Sequence, residues 1–332
     1  MRGWRCAEPR GIASLQWHDD LPLRAPAAGE IRVRIEAASL NFPDLLVLQG
    51  RYQYRPEPPF VPGAEFAGTV EALGTGVHGL RPGDLVAVTG PCDGFASHAV
   101  VAAQRAVRFD RDVDPVHASA FVLTYGTACH ALADRGRLQP GKTVLVLGAA
   151  GGVGLAALQV ALALGARVIA AAGGAERCAR LAALGAHATI DYRCDNPAAH
   201  LRAELRRLTD GRGIDVVLDP LGGALAEPAF RSLAWRGRHL VVGFAAGDIP
   251  ALKLNLPLLK GAELTGVFWG AFTEHEPQAA QATLDRLQAW YREGRVRPVI
   301  DSRWPLRRLP EALARLQDRQ AFGKLVVLPD PD

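Results

Sequence analysis

The chain has 332 residues, 49% of them hydrophobic, which is enough for two cores when single domains run to roughly 100–200 residues. Its formal charge of +4 comes from 38 basic and 34 acidic residues spread along the whole length, without the basic stripe of a nucleic-acid groove. No apolar run approaches the ~20 residues of a membrane helix, no signal-like stretch opens the chain, and five widely spaced cysteines without a C-x-x-C pair argue against a disulfide framework or a structural zinc cluster. A cytoplasmic protein without a membrane or nucleic-acid partner is expected.

Up to about residue 120 the pattern is short β-like runs broken by turn formers. In Ile31-Arg32-Val33-Arg34-Ile35 apolar and charged residues alternate with period two, so one face is buried and the other wet. Pro62-Gly63, Gly74-Thr75-Gly76 and Arg81-Pro82-Gly83-Asp84 mark turns, the last just before the apolar run 85–88.

From about 125 to 268 the rhythm becomes strand, helix, strand, with continuous apolar strands expected over 143–147, 167–171, 188–190, 215–218, 240–242 and 264–267. Helices are expected over 152–164, 175–184, 198–208 and 224–233. Six such strands with crossover helices make a doubly wound parallel sheet. Farther on, 277–293 carries Leu284, Leu287 and Trp290 at helical spacing and ends at the C-cap candidate Gly294; a short helix over 310–317 precedes a terminal strand over 324–328.

The strongest local signal is the buried strand that runs through Gly148-Ala149-Ala150-Gly151-Gly152-Val153-Gly154 into an apolar helix. Glycines there let the backbone approach a pyrophosphate, whose charge the orphan N–H groups and positive dipole end of the helix can meet. Ala149 stands where the dinucleotide fingerprint has its first Gly. A sheet that prefers NAD places an acid about 20 residues on, at the end of the second strand. Here that end is Ala171-Ala172-Gly173-Gly174, with Arg177, Tyr192 and Arg193 near in sequence. NADPH is therefore favoured by charge, against the single dissent of Glu176.

Several ordered motifs then fix a family resemblance. They are Asn41-Phe42-Pro43-Asp44-Leu45-Leu46, Val61-Pro62-Gly63-Ala64-Glu65-Phe66-Ala67-Gly68, Leu123-Thr124-Tyr125-Gly126-Thr127-Ala128, the glycine turn, and Gly323-Lys324-Leu325-Val326. Over essentially its whole length the chain resembles the zinc-independent quinone oxidoreductases, the zeta-crystallin branch of the medium-chain dehydrogenase/reductase superfamily. Zinc-dependent relatives have a Cys three residues before the Asp of the first motif and a His before the Glu of the second; Asn41 and Ala64 stand there, so no metal site is expected. The nine histidines show no metal-ligand spacing, and His130 reads as a packed helix residue.

The resemblance implies an α/β fold: a Rossmann doubly wound parallel sheet over 125–268, plus a GroES-like, mainly-β catalytic domain over 1–124 completed by 269–332, with the active site in the cleft. It implies Asn41, Asp44 and Tyr52 at the nicotinamide and substrate end, and Thr127 at the nicotinamide. Ala150, Gly151, Gly152 and Val153 would form the phosphate turn, and Gly173, Arg177, Tyr192 and Arg319 would hold the 2′-phosphate. Gly243 and Phe244 would flank the cofactor, and Phe268 and Trp269 would close it off. The family often has Lys where this chain has Arg177 and Tyr where it has Cys129. A homodimer joined through the cofactor domains is implied too. The expected reaction is hydride transfer from NADPH to a quinone or enone, with protonation from Tyr52 or from water. The alternatives are an enoyl or 2-alkenal double-bond reductase and, from another class, an NADPH-binding protein with little turnover.

Overall fold

Alternation, buried runs and turn residues dictate most of the elements. The computed structural model describes residues 1–330. Contacts divide the described residues into two units, residues 1–123 with 298–330 and residues 124–297.

The first unit opens with β1 (Gly3–Cys6) and β2 (Leu15–His18), an antiparallel pair. In β3 (Glu30–Ser39), Ile31, Val33 and Ile35 point into the core while Arg34 faces solvent, as the alternation requires. Helix α1 (Phe42–Leu48) follows with Pro43 in its first turn, where a missing N–H costs nothing. Then come β4 (Glu65–Leu73), β5 (Leu85–Thr89), β6 (His98–Ala102), β7 (Ala106–Phe109) and the single turn α2 (Pro115–Ala118).

Helix α3 (Val122–Cys129) leads into the second unit, where β8 (Thr143–Val146), α4 (Gly152–Ala163), β9 (Arg167–Ala172), α5 (Ala175–Ala183), β10 (Ala188–Asp191), α6 (Pro197–Leu208), β11 (Ile214–Asp219), α7 (Ala226–Arg231), β12 (Leu233–Val241), α8 (Asn255–Lys260) and β13 (Glu263–Gly266) alternate. The sheet order is β10-β9-β8-β11-β12-β13 and every pairing is parallel. The polypeptide thus builds outward twice from β8, the doubly wound arrangement.

Three expectations need correction. The fifth strand begins at Leu233, not 240: exposed Trp235 and Arg236 break its apolar run, and they shorten the preceding helix to end at Arg231. A helix α9 (Trp269–His275) stands between the strand read over 264–267 and the helix read from 277, where no element was expected. The first domain resumes at 298 rather than 269, because α9 and α10 (Pro277–Arg292) belong to the second unit. Leu284, Leu287 and Trp290 of α10 are buried, and Gln159 of α4 donates to Arg297 O at 3.0 Å and accepts from Arg297 N at 2.6 Å.

Beyond that point β14 (Ile300–Pro305), α11 (Leu309–Gln317) and β15 (Lys324–Leu328) finish the first unit. Its main sheet runs β14-β15-β3-β4-β5-β7, with β6 also on β3, so the last strand of the chain is an interior strand beside β3.

Candidate active site

In the first unit the residues at the head of α1 are organised from inside. Asp44, in the first helical turn, accepts from Asn41 N at 2.7 Å through one carboxylate oxygen and from Ala64 N at 2.9 Å through the other, tying the helix start to the strand entering β4. Glu65, fully buried, accepts from Leu123 N at 2.8 Å on Oε1 and from Ser39 Oγ at 2.9 Å on Oε2. Lys324, at the start of β15, donates from Nζ to Asn41 Oδ1 at 2.6 Å and lies 3.4 Å from Glu65 Oε2. Asn41 Nδ2 donates to Glu65 Oε2 at 3.2 Å and to Ser39 O at 3.3 Å. The ammonium fixes which end of the amide is oxygen, since the flipped rotamer would set NH₂ against NH₃⁺.

Burial sets the electrostatics of this cluster. It pushes the Asp44 carboxyl up to about 7, against the two backbone N–H bonds and the Lys324 charge, which pull it down. The same burial lowers Lys324, opposed by Glu65 and Asp44. Asn41 and Asp44 therefore spend their side chains inside the unit. Tyr52 is half-buried, 6.2 Å ring to ring from Tyr54, and burial first, then Tyr54 and Asp44, raises its phenol.

In the second unit the glycine turn has the form the sequence demands. Gly148 takes φ +59°, Gly151 N donates to Gly148 O at 3.0 Å, and Gly151 caps α4. A Cβ on Gly154 would stand 2.3 Å from Gly148 O and 2.6 Å from Ala149 Cα, so only glycine lets helix and turn close on each other. Gly151 is exposed, Gly152 and Val153 are half-buried and Ala150 is buried. At the end of β9, Gly173 is buried beside half-buried Tyr192, Arg177 of α5 is half-buried, and Arg319 belongs to the other unit.

The aromatic residues expected at the nicotinamide end divide. Phe244 and Phe268 are 36% and 41% exposed, whereas Trp269 is only 3% exposed and faces α3: a Cβ on Gly126 would lie 2.5 Å from its ring. Thr127 is buried on the same helix. Burial pushes the Cys129 thiol up to about 11, which keeps it protonated. His130 is packed, as expected: its ring stacks on Phe272 at 4.0 Å and its Nδ1 lies 2.9 Å from Asp134, and burial lowers its pKa.

Two carboxylates that hold turns at strand ends escaped the sequence reading. Asp219, which ends β11, accepts from Leu221 N at 2.9 Å and Gly222 N at 2.8 Å, and its second oxygen lies 3.0 Å from Nε2 of buried His239. It shapes the 220–223 turn that places Leu221 against Gly148 and Phe244 over Gly222. Asp191, which ends β10, accepts from two backbone N–H groups of the Gly174 and Arg193 turns. The available signal for both was an acid at the C-terminal end of a parallel strand, where such sheets bind ligands.

Comparison with known proteins places these features in context. Residues 27–111 match the alcohol dehydrogenase GroES-like domain and residues 152–287 the zinc-binding dehydrogenase family. The quinone oxidoreductase-like protein 2 homolog of Nematostella vectensis is 35% identical over 90% of this chain and 81% of its own length. A mycobacterial protein solved as a complex with NADPH superposes with a TM-score of 0.92 at 30% identity, over 99% of this chain and 100% of that one. The Escherichia coli quinone oxidoreductase complexed with NADPH gives 0.91 at 26% identity, over 99% and 100%.

Proposed function

The chain belongs to the quinone oxidoreductase-like proteins of the medium-chain dehydrogenase/reductase superfamily, and on that premise we propose that it reduces quinones or related conjugated carbonyl acceptors with NADPH and without zinc. The protein is an NADPH-dependent oxidoreductase. Its residues fit the cofactor: exposed Gly151 stands at the N-terminus of α4, where open backbone N–H groups suit a pyrophosphate, and Gly173 lies against Tyr192 and Arg193. When bound, NADPH supplies the hydride.

The observation that carries the zinc-free reading is the ammonium of Lys324, set between Asn41 Oδ1 and Glu65 Oε2. Zinc takes thiolate, imidazole or carboxylate donors, and a fixed cation between this amide and this carboxylate repels a second one. No group of three His, Cys, Asp or Glu side chains suited to a metal occurs among the described residues. A conjugated acceptor needs less polarisation than an isolated carbonyl, which matches a site of this kind. Asn41 and Asp44 hold the loop in shape, and Tyr52, kept protonated by burial, is the side chain proposed to return a proton to the reduced acceptor.

The oligomer proposed is a homodimer through the second unit. Strand β13 is an outer strand of the sheet with Leu264 53% exposed on it, and Leu254, Leu258 and Leu259, at and in the helix α8 that precedes it, are 86%, 79% and 69% exposed. A second copy would cover both the unpaired backbone and the leucines.

The test is oxidation of NADPH and NADH with 1,4-benzoquinone, 9,10-phenanthrenequinone and a 2-alkenal, each with and without a chelator, alongside light scattering for mass. Chelator-resistant, NADPH-preferring turnover of quinones is expected. Preference for the alkenal would reassign the acceptor to a double bond, and saturable NADPH binding without turnover would replace the enzyme by a binding protein.

A further inference from the structure

The turn between β9 and α5 and the turn after β10 are held together by one side chain. Asp191 is the residue of β10 in register with Ala172, the last residue of β9. Its Oδ1 accepts from Gly174 N at 2.7 Å and from Arg193 N at 2.8 Å, while Tyr192 N donates to Ala172 O at 3.1 Å. Both turns are thereby fixed to the same oxygen. Above them the side chains converge: a Cβ on Gly173 would stand 3.2 Å from the Tyr192 ring and 3.9 Å from Arg193 Nε, and one on Gly174 would stand 3.6 Å from Arg193 Nη1. The Arg193 guanidinium is exposed and donates no hydrogen bond among the described residues, so it is held over the glycines with its donors open to a ligand.

A carboxylate this close to the end of the second strand has two opposite uses. Where its oxygens face the ribose it accepts from hydroxyls and repels a phosphate. Here Oδ1 is spent on the backbone, and the charge of Asp191 draws Arg193 towards the turn. We propose that Asp191 is a positioning residue for cofactor selection: it fixes the Gly173–Gly174 turn and Arg193 as one cradle for the ribose 2′-phosphate, to which Arg193 adds a contact. This rests on the NADPH reading given above. A carboxylate suits the task better than an amide, since one oxygen must serve two N–H donors while its charge faces a guanidinium.

The experiment measures dissociation constants of the full-length protein for NADPH, NADH and 2′,5′-ADP, in the wild type and in Asp191→Ala, Asp191→Asn and Arg193→Gln. Loss of a charge-assisted contact is worth about tenfold or more, so Asp191→Ala and Arg193→Gln should each weaken NADPH and 2′,5′-ADP by that factor. Both should leave NADH within about twofold, and Asp191→Asn, which keeps an oxygen acceptor, should weaken NADPH by less than about threefold. Equal losses for NADPH and NADH in Asp191→Ala would overturn the proposal in favour of a purely structural carboxylate. Tighter NADPH binding in that variant would overturn it in favour of a phosphate-repelling ribose reader. Should Asp191→Ala not fold, Arg193→Gln without a selective loss overturns it alone. Failure of the underlying reading shows separately, as wild-type protein that binds NADH as well as NADPH and ignores 2′,5′-ADP.

Discussion

Lys324 Nζ and Asn41 Oδ1 are 283 positions apart in sequence and 2.6 Å apart in the interior of the first unit. The bond joins the head of α1 to the last strand, and Glu65 completes it as the counter-charge. Removing one member of a buried ion pair strands the other, so Lys324→Met should lower stability by about 3–5 kcal/mol in urea unfolding. Adding Glu65→Gln should restore a large part of that loss, because the stranded charge is then gone. A single variant that unfolds at the wild-type urea concentration would show that the cluster contributes nothing.

Asp44 makes stability depend on pH near neutrality. Burial holds its carboxyl at about 7 against an ordinary 3.8, so between these values the native state keeps a proton that the unfolded chain has released. The contribution is full below 3.8 and is withdrawn as pH rises through about 7. Thermal midpoints of the wild type should therefore fall from about pH 5 to about pH 8 relative to those of Asp44→Asn, which has no proton to lose there. Parallel curves for the two proteins would contradict this assignment.

Gly126 is a packing requirement rather than a hinge. The Trp269 ring occupies the space of its missing side chain, with ring atoms 2.5 and 2.6 Å from a Cβ position. Gly126→Ala should displace the indole and cost about 1–3 kcal/mol, visible in denaturant unfolding and as a change in tryptophan fluorescence. An unaltered emission spectrum together with unaltered stability would argue against the contact.

What could be read in the sequence was whatever depends on neighbours along the chain. The apolar runs of β8, β9 and β11 and the glycine turn are local, and all are found where periodicity and turn chemistry put them, whereas α1 lies in a stretch read only as short β-like runs and turns. Strand β12 was cut short because Trp235 and Arg236 are exposed within it, and a strand with solvent-facing residues on a buried sheet loses its apolar signature. The partnership of Lys324 with Glu65 was invisible for a different reason: the two lie 259 positions apart, and no pattern within either segment names its counter-charge. For His130 the apolar stretch around it showed that it would be packed, but not that its partner is Phe272 of α9.

Asp219 offers a test on the cofactor side. Its two bonds to Leu221 N and Gly222 N shape the turn that meets Gly148, so Asp219→Ala should loosen the phosphate turn from beneath. NADPH should bind about tenfold more weakly, with a raised KM and a smaller change in kcat. A fall in kcat at constant KM would place Asp219 in the chemical step instead.

The order of strands in the first sheet bears on how the chain is made. Residues 124–297 are contiguous and can close their core as soon as they leave the ribosome. The first unit has no such freedom, because β15 is inserted between β14 and β3 and brings Lys324 with it. Until β15 is made, Glu65 has no cation and β3 is unpaired at Ala38 and Ser39 on the side that β15 fills, so residues 1–123 must wait for a strand that follows the whole second unit and are the segment most in need of a chaperone meanwhile.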